Sequence, residues 1–362
     1  MTRIRRRQGI GRGSLCGDSP TRPSLASMRF GVCCLLIGAL TALVGCGSGP
    51  DEDRGDVARH VVELPGAERQ IDFDDIVYSE ELRRVLVPAR ESGLYLANRD
   101  GKNATRVGAT HTADSADAGR GLLFVLRRDD RAIDVVDPDS GRTVSTAATS
   151  AAGDYLRYVA ATGELWVTQP GASPAGIEIF TLPAGTAPKP QRAGFIEVPD
   201  GPEGITLNPT ETTVYTHAGR DLAAIDVSTR ALKKRWQTGC DGTHGFPRVD
   251  KAEQFLIASC AHDGEVVLLD AVDGRQLDRY AVGGGEALPG YSPKSDHFYV
   301  RGDPDTTLVT LQASRDGFTL VNEVRVPETG HCLTADDAAQ YWTCDGDRGR
   351  ILRFTDQARA AD

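Results

Sequence analysis

Helical periodicity is missing from this 362-residue chain once its first 45 residues are set aside. That absence excludes a parallel α/β sheet, whose strands need helical crossovers. Long apolar runs are scarce as well. The one clear example, Phe30 to Val44, is too short to span a bilayer comfortably. No G-x-S-x-G elbow, P-loop or H-E-x-x-H motif occurs, so three well-marked routes to catalysis have no support. Acidic pairs abound, but none is set apart by its surroundings, and no glycosidase dyad can be named. Positive charge is short where it would matter. Seven of the 41 bases and one of the 51 acids fall in residues 1–45, which leaves 34 bases against 50 acids. A domain so acidic should repel nucleic acid and anionic lipid and attract cations. Acidity also serves solubility alone.

What the chain does have begins with an address. FGVCCLLIGALTALV (residues 30–44) follows Arg29 and has the length of a signal-peptide core. Leu43-Val44-Gly45-Cys46 closes it and resembles the bacterial lipobox. The resemblance implies cleavage before Cys46 and diacylation of that residue, with an ordinary secretory signal as the alternative. Residues 1–45 are then a leader and 46–56 a polar tether. The product is an extracytoplasmic lipoprotein held to a membrane by its lipid, at the cell surface or in the periplasm. Met28 is an alternative start to Met1. Of eight Cys, Cys16, Cys33, Cys34 and Cys46 belong to this region, leaving an even four for an oxidising compartment.

Gly is abundant at 40 residues, and from Ile71 onward a pattern recurs about every 40 to 50 residues, the spacing of propeller blades. Each copy has a short innermost strand, then an apolar one such as LLFVL, LWVT or FLIAS. A third strand ends in a polar turn (AIDVVDPDSG, LAAIDVSTR), and a more polar fourth follows (LKKRWQT). Innermost strands fall near Asp72, His111, Asp154, Glu203, His244, Ala287 and His331, which predicts seven blades over residues 57–356 and a disordered tail at 357–362. The last blade stops after its third strand, RILRFT, while VARHVVEL (57–64) is a strand without a blade. Pairing the two closes the ring and removes both edges. The fold class expected is therefore an all-β seven-bladed β-propeller closed by an N-terminal strand. Aligning the blades pairs Cys240 with Cys260 and Cys332 with Cys344, each bridge internal to one blade. Trp166, Trp236 and Trp342 suit blade cores better than a stacking platform.

His111, His244 and His331 occupy matching positions in blades two, five and seven, where the loops into innermost strands converge on the channel. Asp154, Glu203 and Glu286 start or precede the innermost strands of blades three, four and six. Imidazoles with carboxylates are the donor set of four-coordinate Zn²⁺. The expected ligands are His111, His244 and His331, with Glu203 or Asp154 as carboxylate. A lone His at a strand start more often bonds backbone, and His217 and His297, on second strands, are read as structural. His60 and His262 are read as solvated, and Asp134, Asp226 and Asp270 as turn caps.

TTVYTHAGRDLAAIDVSTR (212–230) resembles the strands of YVTN-type propellers. CDGTHGFPRVDKAEQFLIASCAHDGEVVL (240–268) resembles the disulfide-bearing segment of AztD-type periplasmic zinc metallochaperones. The second resemblance implies a zinc ligand at His244 and hand-over of zinc to the solute-binding protein of an ABC importer. Such chaperones carry a His-rich N-terminal segment, where this tether offers His60. Three functions stay open: a monomeric, non-enzymatic zinc-binding lipoprotein, a metal-free interaction scaffold, and a lactonase-like hydrolase using channel His or Glu as base.

Overall fold

The second strands carry apolar cores buried on both faces, because neighbouring blades cover each side. Leu122–Arg127 buries its first five residues, and Glu164–Gln169 buries all six. Fourth strands lie outside and are mixed, as in Ala231–Gln237, where the lysines face solvent. These runs build seven four-stranded antiparallel sheets, six of them simple meanders spanning 77–106, 115–148, 156–197, 203–237, 248–281 and 286–325. The computed structural model describes residues 59–67, 69–108 and 111–356. The leader, Cys46, the tether at 46–56 and the tail at 357–362 lie outside them.

The seventh sheet closes the ring. His60–Glu63 pairs antiparallel with Arg350–Thr355, with Val62 opposite Ile351, and supplies the fourth strand that the last blade lacks. Seven apolar clusters then fill the seven seams between consecutive blades. One unites Val62 and Trp342 of the closing blade with Val85 and Tyr95 of the first. The seam between blades four and five holds Leu222, Val249 and Leu269. Most stability resides in these seams, since a four-stranded blade cannot bury both its faces by itself.

Both expected disulfides are present, Cys240–Cys260 and Cys332–Cys344. Of the three turn aspartates, Asp226 accepts the Thr229 N–H and Asp270 the Val272 N–H, as capping requires. Asp134 does otherwise: it takes the Thr146 hydroxyl and pairs with Arg127, and the adjoining turn is capped by Asp137.

Candidate metal centre

One mouth of the central channel is built by the residues at or just before the starts of the innermost strands. It forms a pocket of about 310 Å³ whose lining includes Asp74, Asp154, Glu203, His244, Glu286 and His331. Charge divides this mouth in two. On the side of blades one to three, Arg90 pairs with Asp74 at 3.1 Å and Asp114 at 2.7 Å. Arg128 holds Asp74 at 2.9 Å and also Asp154. Tyr155 donates its hydroxyl to Asp74 at 2.7 Å. Two guanidiniums there answer three carboxylates, so that half is mostly but not wholly neutralised from within.

The other half has imidazoles where the first has guanidiniums. His244 Nε2 and His331 Nε2 face each other at 3.0 Å, with ring centroids 5.0 Å apart. Glu286 Oε2 lies 3.2 Å from His244 Nε2 and 3.2 Å from His331 Nδ1. These three half-buried residues form a group able to offer one donor atom each to a single ion. Behind them stand two more carboxylates. Asp303 accepts a hydrogen bond from His331 Nδ1 at 3.0 Å, and Glu203 sits 3.7 Å from His244 Nδ1. The Asp303 bond is the outer-shell contact that orients a metal-binding histidine and fixes which nitrogen is bare; Glu203 is near enough to His244 to attract it but not to hydrogen-bond it.

With Nδ1–H engaged by Asp303, neutral His331 points a lone pair at His244. Two facing Nε2 atoms must share one proton or hold something between them. Two nitrogens on a tetrahedral zinc stand about 3.3 Å apart, so an ion fits after an opening of a few tenths of an ångström. Burial pulls His244 below the ordinary imidazole range, and the charge of His331 adds to this against the pull of Glu286. Burial also works downward on His331, but Asp303, Asp74 and Glu286 outweigh it and hold that ring above its usual pKa. Glu203 is pushed up by burial and by the Asp154 and Asp74 carboxylates. Glu286 and Asp303 are direct cross-strand partners, a pairing that repels unless a cation intervenes. His331, when protonated, is the cation of this half, 3.2 Å from Glu286 and 3.0 Å from Asp303; a bound metal ion would do the same when the ring is neutral.

The loops that carry the two histidines are held from several directions. Cys332 directly follows His331, and the Cys240–Cys260 bridge ties the start of the His244 loop to the second strand of its blade. Buried His217 donates from Nδ1 to the Gly245 carbonyl at 3.0 Å and accepts the Ser259 N–H on Nε2 at 3.3 Å. Gly204, at φ +72°, backs directly onto this loop, where an added Cβ would stand 2.3 Å from the Gly245 oxygen. That closeness sets Glu203 beside His244.

The sequence-predicted residues are distributed as follows. His244 and His331 come together, and Glu203 stands beside the first. Asp154 lines the same pocket but is engaged by Arg128. His111 is exposed on the approach to blade two and is not in the His244–Glu286–His331 group. The ring position there is filled three residues later by Asp114. His297 is buried against Asp356 at 2.7 Å, while His60 and His262 are exposed. Sequence reasoning missed Asp303 as a member of the site.

Below the pocket the channel is blocked. Tyr155 and Phe246 pack at 4.4 Å between ring centroids, and the gap they leave with Ile76, Leu288 and Leu333 measures about 10 Å³. This is at most a single water position.

No protein-family model matches the chain, and no curated protein does. Solved structures do match. A chain of a mitotic checkpoint complex superposes with a TM-score of 0.70 at 15% identity, covering 91% of this chain and 100% of that one. The propeller domain of Myceliophteria thermophila Cps50 (Swd1) gives 0.65 at 10%, covering 83% and 100%. Kuenenia stuttgartiensis hydrazine synthase gives 0.65 at 10%, covering 82% and 99%. The likeness is one of fold. The chain is a seven-bladed β-propeller similar to the WD40 type, and at these identities the match says nothing of ligand or partner.

Proposed function

We propose that the protein binds a divalent metal, zinc foremost, between His244, His331 and Glu286, and serves outside the cytoplasm as a lipid-anchored zinc carrier. The observation that supports this is the convergence of two imidazole Nε2 atoms and a carboxylate, with Asp303 hydrogen-bonded behind His331 and Glu203 3.7 Å from His244. Two nitrogens and one oxygen suit zinc, and a fourth position left to water suits cargo that must leave again. The CDGTHG likeness at 240–268 to zinc metallochaperones points the same way. It supports hand-over to an importer's solute-binding protein. The acid-rich mouth draws cations in, and protons compete for the same nitrogens, so binding weakens as pH falls through the imidazole range.

The test is metal analysis and zinc titration of the purified protein. About one zinc per chain is expected, lost in His331→Ala and in Glu286→Gln. Asp303→Asn should retain the ion but bind it roughly 10- to 100-fold more weakly, as outer-shell changes do. Protein that takes up no zinc, or whose uptake is indifferent to all three substitutions, would make the propeller a metal-free scaffold. Iron(II) bound in preference would reassign the metal, since two histidines and a carboxylate also hold that ion.

A further inference from the structure

The far side of the Tyr155–Phe246 block opens into a second chamber of about 700 Å³, walled in part by Ile205, Leu207 and Tyr291. Two guanidiniums reach it, and both lie over the Phe246 ring, Arg157 at 4.7 Å and Arg248 at 5.1 Å from its centroid. Arg157 is fully engaged: its two terminal nitrogens each meet an oxygen of buried Asp75 at 2.8 Å. Arg248 is not. Among the described residues it has no carboxylate in ion-pair range. Its hydrogen bonds run from Nη1 alone, to the Thr206 hydroxyl at 3.1 Å and the Pro247 carbonyl at 3.3 Å. Arg301 shows how a structural arginine is handled here, with every nitrogen bonded to a carbonyl or hydroxyl. Burial and the charge of Arg157 bring Arg248 down to about 9, which leaves it a cation at neutral pH. A half-desolvated cation with idle donors is costly unless an anion completes it.

We infer that this lower chamber binds a small organic monocarboxylate, its carboxylate on the free nitrogens of Arg248, which Thr206 positions while donating its own hydroxyl to the Pro247 carbonyl, and its apolar body against Ile205, Leu207 and Tyr291. One uncompensated guanidinium matches one negative charge, and its planar fork matches a carboxylate. Acidic Glu80, Glu81, Asp117 and Glu211 also line the chamber and oppose polyanions. The site is separate from the metal centre, because the aromatic block stands between them.

Thermal-shift and calorimetric titrations with benzoate, its neutral analogue benzamide and inorganic phosphate test the assignment. Benzoate should bind saturably and raise Tm, and benzamide should do neither. Arg248→Gln, which removes the charge with little change in volume, should weaken benzoate binding roughly tenfold or more while keeping the wild-type circular dichroism. Thr206→Val, a milder change, should weaken it less. Benzoate binding unchanged in Arg248→Gln would overturn the inference. So would equal binding of benzamide, or a response to phosphate without one to benzoate.

Discussion

His217 touches no ligand, yet it shows how a single buried ring can govern a site. Its two nitrogens are committed in opposite senses, one donating to Gly245 and the other accepting from Ser259, so only the neutral form fits. Burial holds its pKa down to about 3 against an ordinary 6.5. A base depressed in the folded state contributes stability that is complete above the unfolded pKa. That contribution is lost as pH falls from about 6.5 towards 3, at about 1.4 kcal/mol per unit. We expect the melting temperature to drop steeply across that window, and His217→Asn to flatten the drop relative to wild type. Parallel pH profiles for the two proteins would refute this role. Asp303 illustrates how a residue of the site escapes sequence reading. It ends the second strand of blade six, on a strand whose equivalents elsewhere face the blade interior. Only the pairing of Glu286 with Asp303 across the ladder brings it to His331. His111 illustrates the reverse case. It lies as many residues ahead of its innermost strand as His244 does, but Arg90 bridges Ala113 and bonds Asp114, and this draws Asp114 to the mouth instead.

Among elements, the two histidine loops stand out because each belongs to a blade with its own disulfide. The Cys332–Cys344 bridge closes a loop of 12 residues and should stabilise the fold by roughly 3 kcal/mol through the unfolded chain. Its second effect is local, since His331 adjoins Cys332 and Gly330 presses against the Cys344 carbonyl. The double change Cys332→Ser with Cys344→Ser should therefore weaken zinc binding beyond what lower stability explains. The comparison is of dissociation constants at a temperature where both proteins are fully folded. Equal constants would show the bridge to be a staple for the fold alone. The innermost strands and disulfides were legible in sequence because period and Cys placement are one-dimensional signals. Which loop residues turn inward depends on contacts between neighbouring blades, as where Gly204 meets Gly245, and no single repeat contains that information.

For the whole molecule, the ring is closed by four residues. Without His60–Glu63 the strand Arg350–Thr355 becomes a free edge, and Val62 no longer fills the seam beneath Trp342. Deleting residues 57–64 should lower stability by several kcal/mol, since a buried side chain and a whole ladder are lost together. The exposed edge should also favour association between chains. Size-exclusion profiles and thermal melts of the shortened protein check both expectations, and an unchanged melt would mean that the seven sheets hold together without their clasp. Closure was readable from the chain because an orphan strand at one end matched a missing strand at the other.

The tilted pair of Tyr155 and Phe246 has a consequence for traffic through the ring. A bore sealed at its waist is two cups set base to base, and an ion resting in one of them has a single doorway. Loading and unloading must then take turns at the same rim. On the carrier role proposed above, an acceptor would have to cover the opening through which the cargo came, and while docked there it would shut out the next delivery.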